Sequence, residues 1–299
     1  MASSQRKRMK QTSPDSTAGV SASDWAALPG DILLIIFHKL GQREIMLGPE
    51  LACTAWRRVA LEEPDLYRHI GWRTIDELLQ RQIDIGAAAE MALGRVALAR
   101  AAGQCESFKG RLSYEDLPYL AESAPSLKTL DIEEFGDYEG TEELIMTLHK
   151  LPMLEILEIY FTYVINPDVK MLRSVCQACP NLKKLVLMYA GPCDLECNED
   201  DFSKEPIDGE IPKMHELRTL ELYECDLTGY GLTSILDSCP LLESLHITGY
   251  FNKRHIDGEE LRVKYAGVKK LTLPTRLKPS DRCYYDYVGY HGSEEDYEE

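Results

Sequence analysis

The sequence lacks long apolar runs. The longest, Ile32–Phe37, is six residues and is followed by His38 and Lys39, whereas a membrane-spanning helix needs about 20. No Asn-x-Ser/Thr acceptor occurs, and Arg6, Lys7, Arg8 and Lys10 have no apolar stretch behind them, so no secretory signal is expected. Nine cysteines in such a chain read as reduced thiols, and the expected location is the nucleus and/or the cytoplasm. The run Arg6–Lys10 fits a nuclear address and a solvated terminus equally well. Basic excess is also missing: 33 Lys+Arg stand against 50 Asp+Glu, a net charge of −17. That excludes a general nucleic-acid binder, because the phosphate backbone demands a basic surface. No Gly-x-Ser-x-Gly, phosphate-cradling glycine loop or His-Glu-x-x-His is present, and the histidines are scattered. No enzyme activity, catalytic residue, cofactor, nucleic-acid partner or membrane partner is therefore expected.

The acidity is local. Asp131–Glu143 holds seven acids and no base, Asp194–Glu210 eight acids and Lys204, and Glu294–Glu299 five acids. The rest of the chain is close to neutral. If the first two segments both follow repeat strands, they emerge from one edge, where they either steer a basic partner or act as a solubilising fringe.

What the sequence has in abundance is one repeated pattern, Leu-x-x-Leu-x-Leu or its aliphatic equivalent. It occurs at Leu127-Leu130-Ile132, Leu154-Leu157-Ile159, Leu182-Leu185-Leu187, Leu217-Leu220-Leu222, Leu242-Leu245-Ile247 and Val268-Leu271-Leu273. Pro125, Pro152, Pro180 and Pro240 each stand two residues ahead, the last two behind Cys179 and Cys239. Leu-x-Leu predicts a short strand with one buried face. Between the strands, Thr141–Leu148, Pro167–Cys176 and Gly229–Asp237 carry apolar residues three and four apart, which predicts helices. Asn166 before Pro167 reads as a helix cap. Ala88–Ala102 reads as a helix and Cys105–Phe108 as a degenerate first strand. No single unit buries its own apolar face, so the units must stack. The pattern resembles leucine-rich repeats of the type with Cys-Pro before the strand, and an ordinary α/β domain would not repeat the proline lead-in.

Residues 24–70 follow a different grammar: Asp24-Trp25-x-x-Leu28-Pro29-x-Asp31-Ile32-Leu33-x-x-Ile36-Phe37-x-x-Leu40, then Cys53-x-x-Trp56-Arg57, then Glu63-Pro64-x-Leu66. Ile32, Leu33, Ile36, Phe37 and Leu40 form one wide stripe on a helix opened by Pro29 and ended by Gly41. A module this small is near the limit for an independent core, so the stripe either packs on the repeats or waits for a partner.

This segment resembles an F-box, and its combination with the repeats resembles the plant F-box/leucine-rich-repeat proteins. The resemblance implies an α/β chain in which a small N-terminal helical F-box precedes a solenoid of short parallel strands alternating with helices. The expected organisation is a disordered N-terminus at 1–23, the F-box at 24–70, and a helical linker with a degenerate capping repeat at 71–104. Repeats follow at 105–279, with an acidic insert near 191–212 expected to form a surface loop, and then an acidic tail at 280–299. It further implies a substrate receptor of an SCF-type ubiquitin ligase, docking a Skp-family adaptor and through it cullin and RING subunits, with the repeats holding an unknown client protein. Leu28, Pro29, Ile32, Leu33, Ile36, Leu40 and Trp56 match the adaptor-binding positions. Two departures are Ala52, where a larger aliphatic is common, and Gly48-Pro49, which interrupts the second helix and predicts a restart at Pro49. The alternative is a non-degradative acidic repeat scaffold or inhibitor that binds a basic protein.

Residues between the repeat leucines are expected on the concave face, among them Asp131, Glu133, Glu158, Tyr160, Lys184, Val186, Met188, Glu221, Tyr223 and His246. Tyr160, Met188 and Tyr223 would form a strip fit to anchor a protein, or simply a solvated strand face. Cys176-x-x-Cys179 and Cys193-x-x-x-Cys197 have roughly zinc-like spacing, but the strand between them spans about 20 Å, so no metal is expected.

Overall fold

The computed structural model describes residues 25–71, 86–136, 140–162, 169–190, 206–249, 251–252 and 266–274. The expected N-terminal and C-terminal tails, the Asn166-Pro167 cap, Cys193, Cys197 and most of the acidic insert lie outside them.

Four helices come first: α1 (Gly30–Phe37), α2 (Gln42–Leu47), α3 (Pro49–Ala52) and α4 (Thr54–Glu62). Pro29 is the residue before the first helical one. Gly41 does not end α1, which stops at Phe37 and continues as turns through Leu40; Gly41 instead precedes α2 and its carbonyl accepts from Ile45. Gly48 breaks the next helix and Pro49 restarts it, since a missing N–H costs nothing in a first turn.

Strands and helices then alternate as far as Tyr189, and beyond it the described elements are mostly strands. They are β1 (His69–Gly71), α5 (Ala87–Arg100), β2 (Ser107–Gly110), α6 (Leu117–Ser123), β3 (Thr129–Phe135), α7 (Gly140–His149), β4 (Ile156–Phe161), α8 (Val169–Ala178) and β5 (Lys184–Tyr189). Then come β6 (Thr219–Tyr223), β7 (Leu227–Thr228), α9 (Gly229–Ser238), β8 (Ser244–Ile247), β9 (Phe251–Asn252) and β10 (Lys270–Thr272). Eight strands form one parallel sheet in the order β1-β2-β3-β4-β5-β6-β8-β10. This is the α/β solenoid the repeat pattern predicts.

The register is set by the leucines. Ile70, Phe108, Leu130, Leu157, Leu185, Leu220, Leu245 and Leu271 are partners along one row. All but Leu271 are buried, and a one-residue slip would turn the whole row to solvent. The proline lead-in is a turn: the N–H groups of Leu127, Leu154, Leu182 and Leu242 donate to the carbonyls three residues back, around prolines at the second turn position. At the strand ends Phe135 meets Phe161 edge-on inside the solenoid, with ring centroids 6.0 Å apart, and Phe161 stacks on Tyr189 at 4.8 Å.

Two parts of the sequence reading change. The sheet begins at His69, before the predicted capping repeat, because Tyr67-x-x-Ile70 substitutes for the leucine pattern. The insert near 191–212 is not a surface loop throughout. Ile207 and Ile211 within it, and Met214 just after it, are buried, and Ile211 exchanges hydrogen bonds with Ser234 and Ser238 of α9. A Cβ at Gly231 would lie 2.0 Å from the Ile207 carbonyl oxygen, so glycine allows this close approach.

The N-terminal helices and the solenoid share one core, running from Phe37 to Ile247. Arg100 of α5 makes a bidentate pair with Glu50 of α3 at 2.8 and 3.0 Å and also donates to the Tyr67 hydroxyl. Gln42 closes the edge of β1. Its side-chain amide donates to the carbonyls of Leu66 (2.9 Å) and His69 (2.8 Å) and accepts from the Gly71 N–H (3.3 Å). Replacing Gln42 with Ala leaves these groups unpaired at a buried edge, and should cost about 1–3 kcal/mol. Urea unfolding together with hydrogen exchange at Gly71 checks this; an unchanged midpoint and unchanged exchange would contradict it.

Candidate functional site

The apolar stripe of α1 turns out to be two faces. Leu33, 1% exposed, is buried, and Phe37 points into the shared core. Leu33 is therefore corrected from a partner contact to a core residue. Ile36 and Leu40 are half-buried against that core. Trp56 is also largely structural: its ring meets Phe37 edge-on at 5.9 Å and its indole N–H donates to the Trp25 carbonyl at 2.9 Å. Pro29 and Ile32 are exposed and Leu28 half-buried, as a binding face requires. Ile35 (57% exposed), Leu47 and Leu51 (73% exposed) are further exposed apolar residues on these helices, outside the positions that the resemblance marks. The 3.6-residue period places Ile35 one turn from Ile32, which is the signal that was available.

On the concave face the register assembles the expected residues into rows. Lys109, Asp131, Glu158, Val186, Glu221 and His246 are successive partners, and Tyr160, Met188 and Tyr223 form the next row. Val186 is only 3% exposed, so it is not available to a partner. Glu133 lies where the β3–β4 register shifts and so departs from its row. Lys109 pairs with Asp131 at 2.9 Å and approaches Glu133 at 3.9 Å; Lys184 pairs with Glu158 at 2.7 Å. Partial burial, with Asp131 and Glu90 nearby, raises the Glu133 carboxyl above its ordinary value. The Tyr223 hydroxyl donates to Glu221 at 2.7 Å, which pushes its pKa up to about 12, and its ring lies 5.0 Å from His246.

A further row had not been anticipated. Arg68, Glu106, Lys128, Glu155, Lys183, Arg218, Glu243 and Lys269 each precede a strand, and each donates its backbone N–H to, or accepts from, the next. Their side chains pair at 2.9 Å for Lys128–Glu106 and Lys183–Glu155, 2.8 Å for Arg218–Glu243 and 2.7 Å for Lys269–Glu243. A charged residue at the first position after each repeat leucine, of mixed sign along the series, is the signal. The acidic stretch 131–143 is likewise not a post-strand fringe: Asp131, Glu133 and Glu134 belong to β3, and Glu142 and Glu143 to the first turn of α7. Glu134 already pairs with Arg111.

Cys105, Cys176, Cys179 and Cys239 are buried small hydrophobes. Desolvation raises all four thiols, those of Cys105, Cys179 and Cys239 up to about 12. Among the described residues no group of His, Cys, Asp and Glu is arranged to hold a metal.

No family model matches the chain. Several plant proteins do. F-box/LRR-repeat protein 22 of Arabidopsis thaliana is 31% identical over 233 residues, covering 77% of this chain and 70% of the relative. F-box/LRR-repeat protein 9 of the same plant is 31% identical over 225 residues, covering 74% and 86%. F-box protein SKIP19, again from Arabidopsis thaliana, is 28% identical over 245 residues, covering 81% and 74%.

Thiols with raised pKa stay protonated at pH 8 and react slowly. Alkylation of the native protein at pH 8, mapped by mass spectrometry, should leave Cys105, Cys176, Cys179 and Cys239 unmodified until urea unfolds it. Labelling of Cys176 and Cys179 in the folded state would show that their burial is wrong.

Proposed function

The chain belongs to the plant F-box/leucine-rich-repeat proteins, and on that premise we propose that it is the substrate-recognition subunit of an SCF-type ubiquitin ligase. F-box proteins generally dock a Skp-family adaptor. In this reading the N-terminal helices dock that adaptor and the concave face receives a client protein. The chain performs no covalent chemistry of its own and needs no cofactor; it works in the nucleus and/or the cytoplasm.

The observation that carries the reading is the division of apolar residues on the N-terminal helices. One set, including Leu33, Phe37, Ile45 and Met46, is buried, the last three in the core shared with the repeats. A second set, Ile32, Ile35, Leu47 and Leu51, remains exposed on α1, α2 and α3, and Trp25 is exposed just ahead of them. Folding does not require a helix to display large side chains to water, and an apolar surface of this kind suits a protein partner. Burying such residues against an adaptor would remove each from water at about 25 cal/mol per Å². The adaptor positions supported on this basis are Pro29 and Ile32, together with Ile35, Leu47 and Leu51, with Leu28 at the margin.

Ile35→Glu and Leu51→Glu should each weaken capture of a purified Skp-family adaptor by about thirtyfold, about 2 kcal/mol. Because both side chains face solvent, their thermal midpoints should stay close to the parent's. Calorimetric titration and thermal melts on the same samples read both quantities. Adaptor binding that survives both substitutions would remove this face from the account, and a parent chain that binds no adaptor would favour the non-degradative scaffold.

A further inference from the structure

The concave face is divided lengthwise by charge. The row preceding the strands is net basic, with five lysines and arginines to three glutamates, each glutamate meeting a lysine or arginine from a neighbouring repeat. The rows further along do not balance. Asp131, Glu133, Glu158 and Glu221 are met there by Lys109 and Lys184, with Lys270 exposed on the last strand, and the described ion pairs include none to Glu221. Next to this carboxylate excess the register lays Tyr160, Met188 and Tyr223 side by side. All three are partly exposed, so their faces reach solvent.

We propose that this half of the concave face binds a cationic segment of a client protein, with a lysine or arginine stem lying over Tyr160, Met188 and Tyr223 and its charged head against Glu221 and Glu158. The chemistry is complementary at both ends of such a side chain. A long aliphatic stem suits a thioether and aromatic strip, and an ammonium or guanidinium suits tyrosine faces beside carboxylates. The hydroxyl of Tyr223, donating to Glu221, holds that carboxylate in place before anything binds, so less ordering is needed on association. Lys184 is already held by Glu158 and does not compete for Glu221. An acidic or phosphorylated segment would meet like charge along these rows, which argues against that class of client.

The proposal rests on the reading of the repeats as a client receptor, and its test keeps the two apart. The full chain is titrated, at about 150 mM salt, with a fluorescein-labelled Gly-Arg repeat peptide and with the matching Gly-Glu peptide. Adaptor capture is measured on the same samples. The arginine peptide should bind and the glutamate peptide should not. Glu158→Gln with Glu221→Gln should weaken the arginine peptide about tenfold. Glu142→Gln with Glu143→Gln, removing the same charge from α7, should change it less than about twofold. Met188→Lys, which puts a cation on the strip, should weaken it as well. Equal weakening by the two glutamine pairs, or none by the concave pair and Met188→Lys, would overturn the proposal, as would a parent chain that ignores the arginine peptide. Adaptor capture should be unchanged throughout; its absence in the parent would count against the ligase reading while the peptide result still decides the site.

Discussion

In-register parallel pairing of the repeat strands is the constraint on which the structure depends. Each strand presents one aliphatic row to the interior, and that row is covered only because the next repeat presents its own at the same height. The rows that face outward inherit the same alignment. Side chains far apart in sequence, such as Glu158, Val186, Glu221 and His246, become neighbours on one surface because the leucines beside them are neighbours inside. Binding surface and core are two sides of one register.

Stacking leaves two ends to close. At the first end the N-terminal helices do this, and they do it as part of the same core rather than as a tethered module. Gln42 completes the hydrogen bonds of β1, and the Arg100–Glu50 pair with Tyr67 joins α5 to α3. The distance and direction from the exposed face of α1 to the concave strands are consequently fixed by packing. For a receptor that must present a bound protein to a partner complex, such a fixed geometry is itself functional. At the other end Leu271, on β10, is 38% exposed, unlike its buried partners along the row.

Much of this was legible in the residues. Six repeats, the helices between them, the restart at Pro49 and the outward rows all follow from spacing, because a period of two residues and a buried face leave few options. Three things were not legible. Leu33 and Ile35 are equally apolar, and the packing of α1 against α4 decides which is buried and which is surface. The first strand was hidden because Tyr67 and Ile70 perform the task of leucines without their pattern. The stretch from Ile207 to Met214 reads as the end of an acidic loop, yet its few apolar residues fill the space beside α9. In each case tertiary packing overrode the local signal.

In the proposed receptor a single core carries an adaptor face on its N-terminal helices and a separate client face on its strands. Hydrogen exchange of the full chain, with and without a saturating Skp-family adaptor, tests it most directly. The account predicts slowed exchange confined to the region from Trp25 to Ala52 and unchanged exchange in β3 to β8. Protection spread across those strands, or none in the helices, would contradict it.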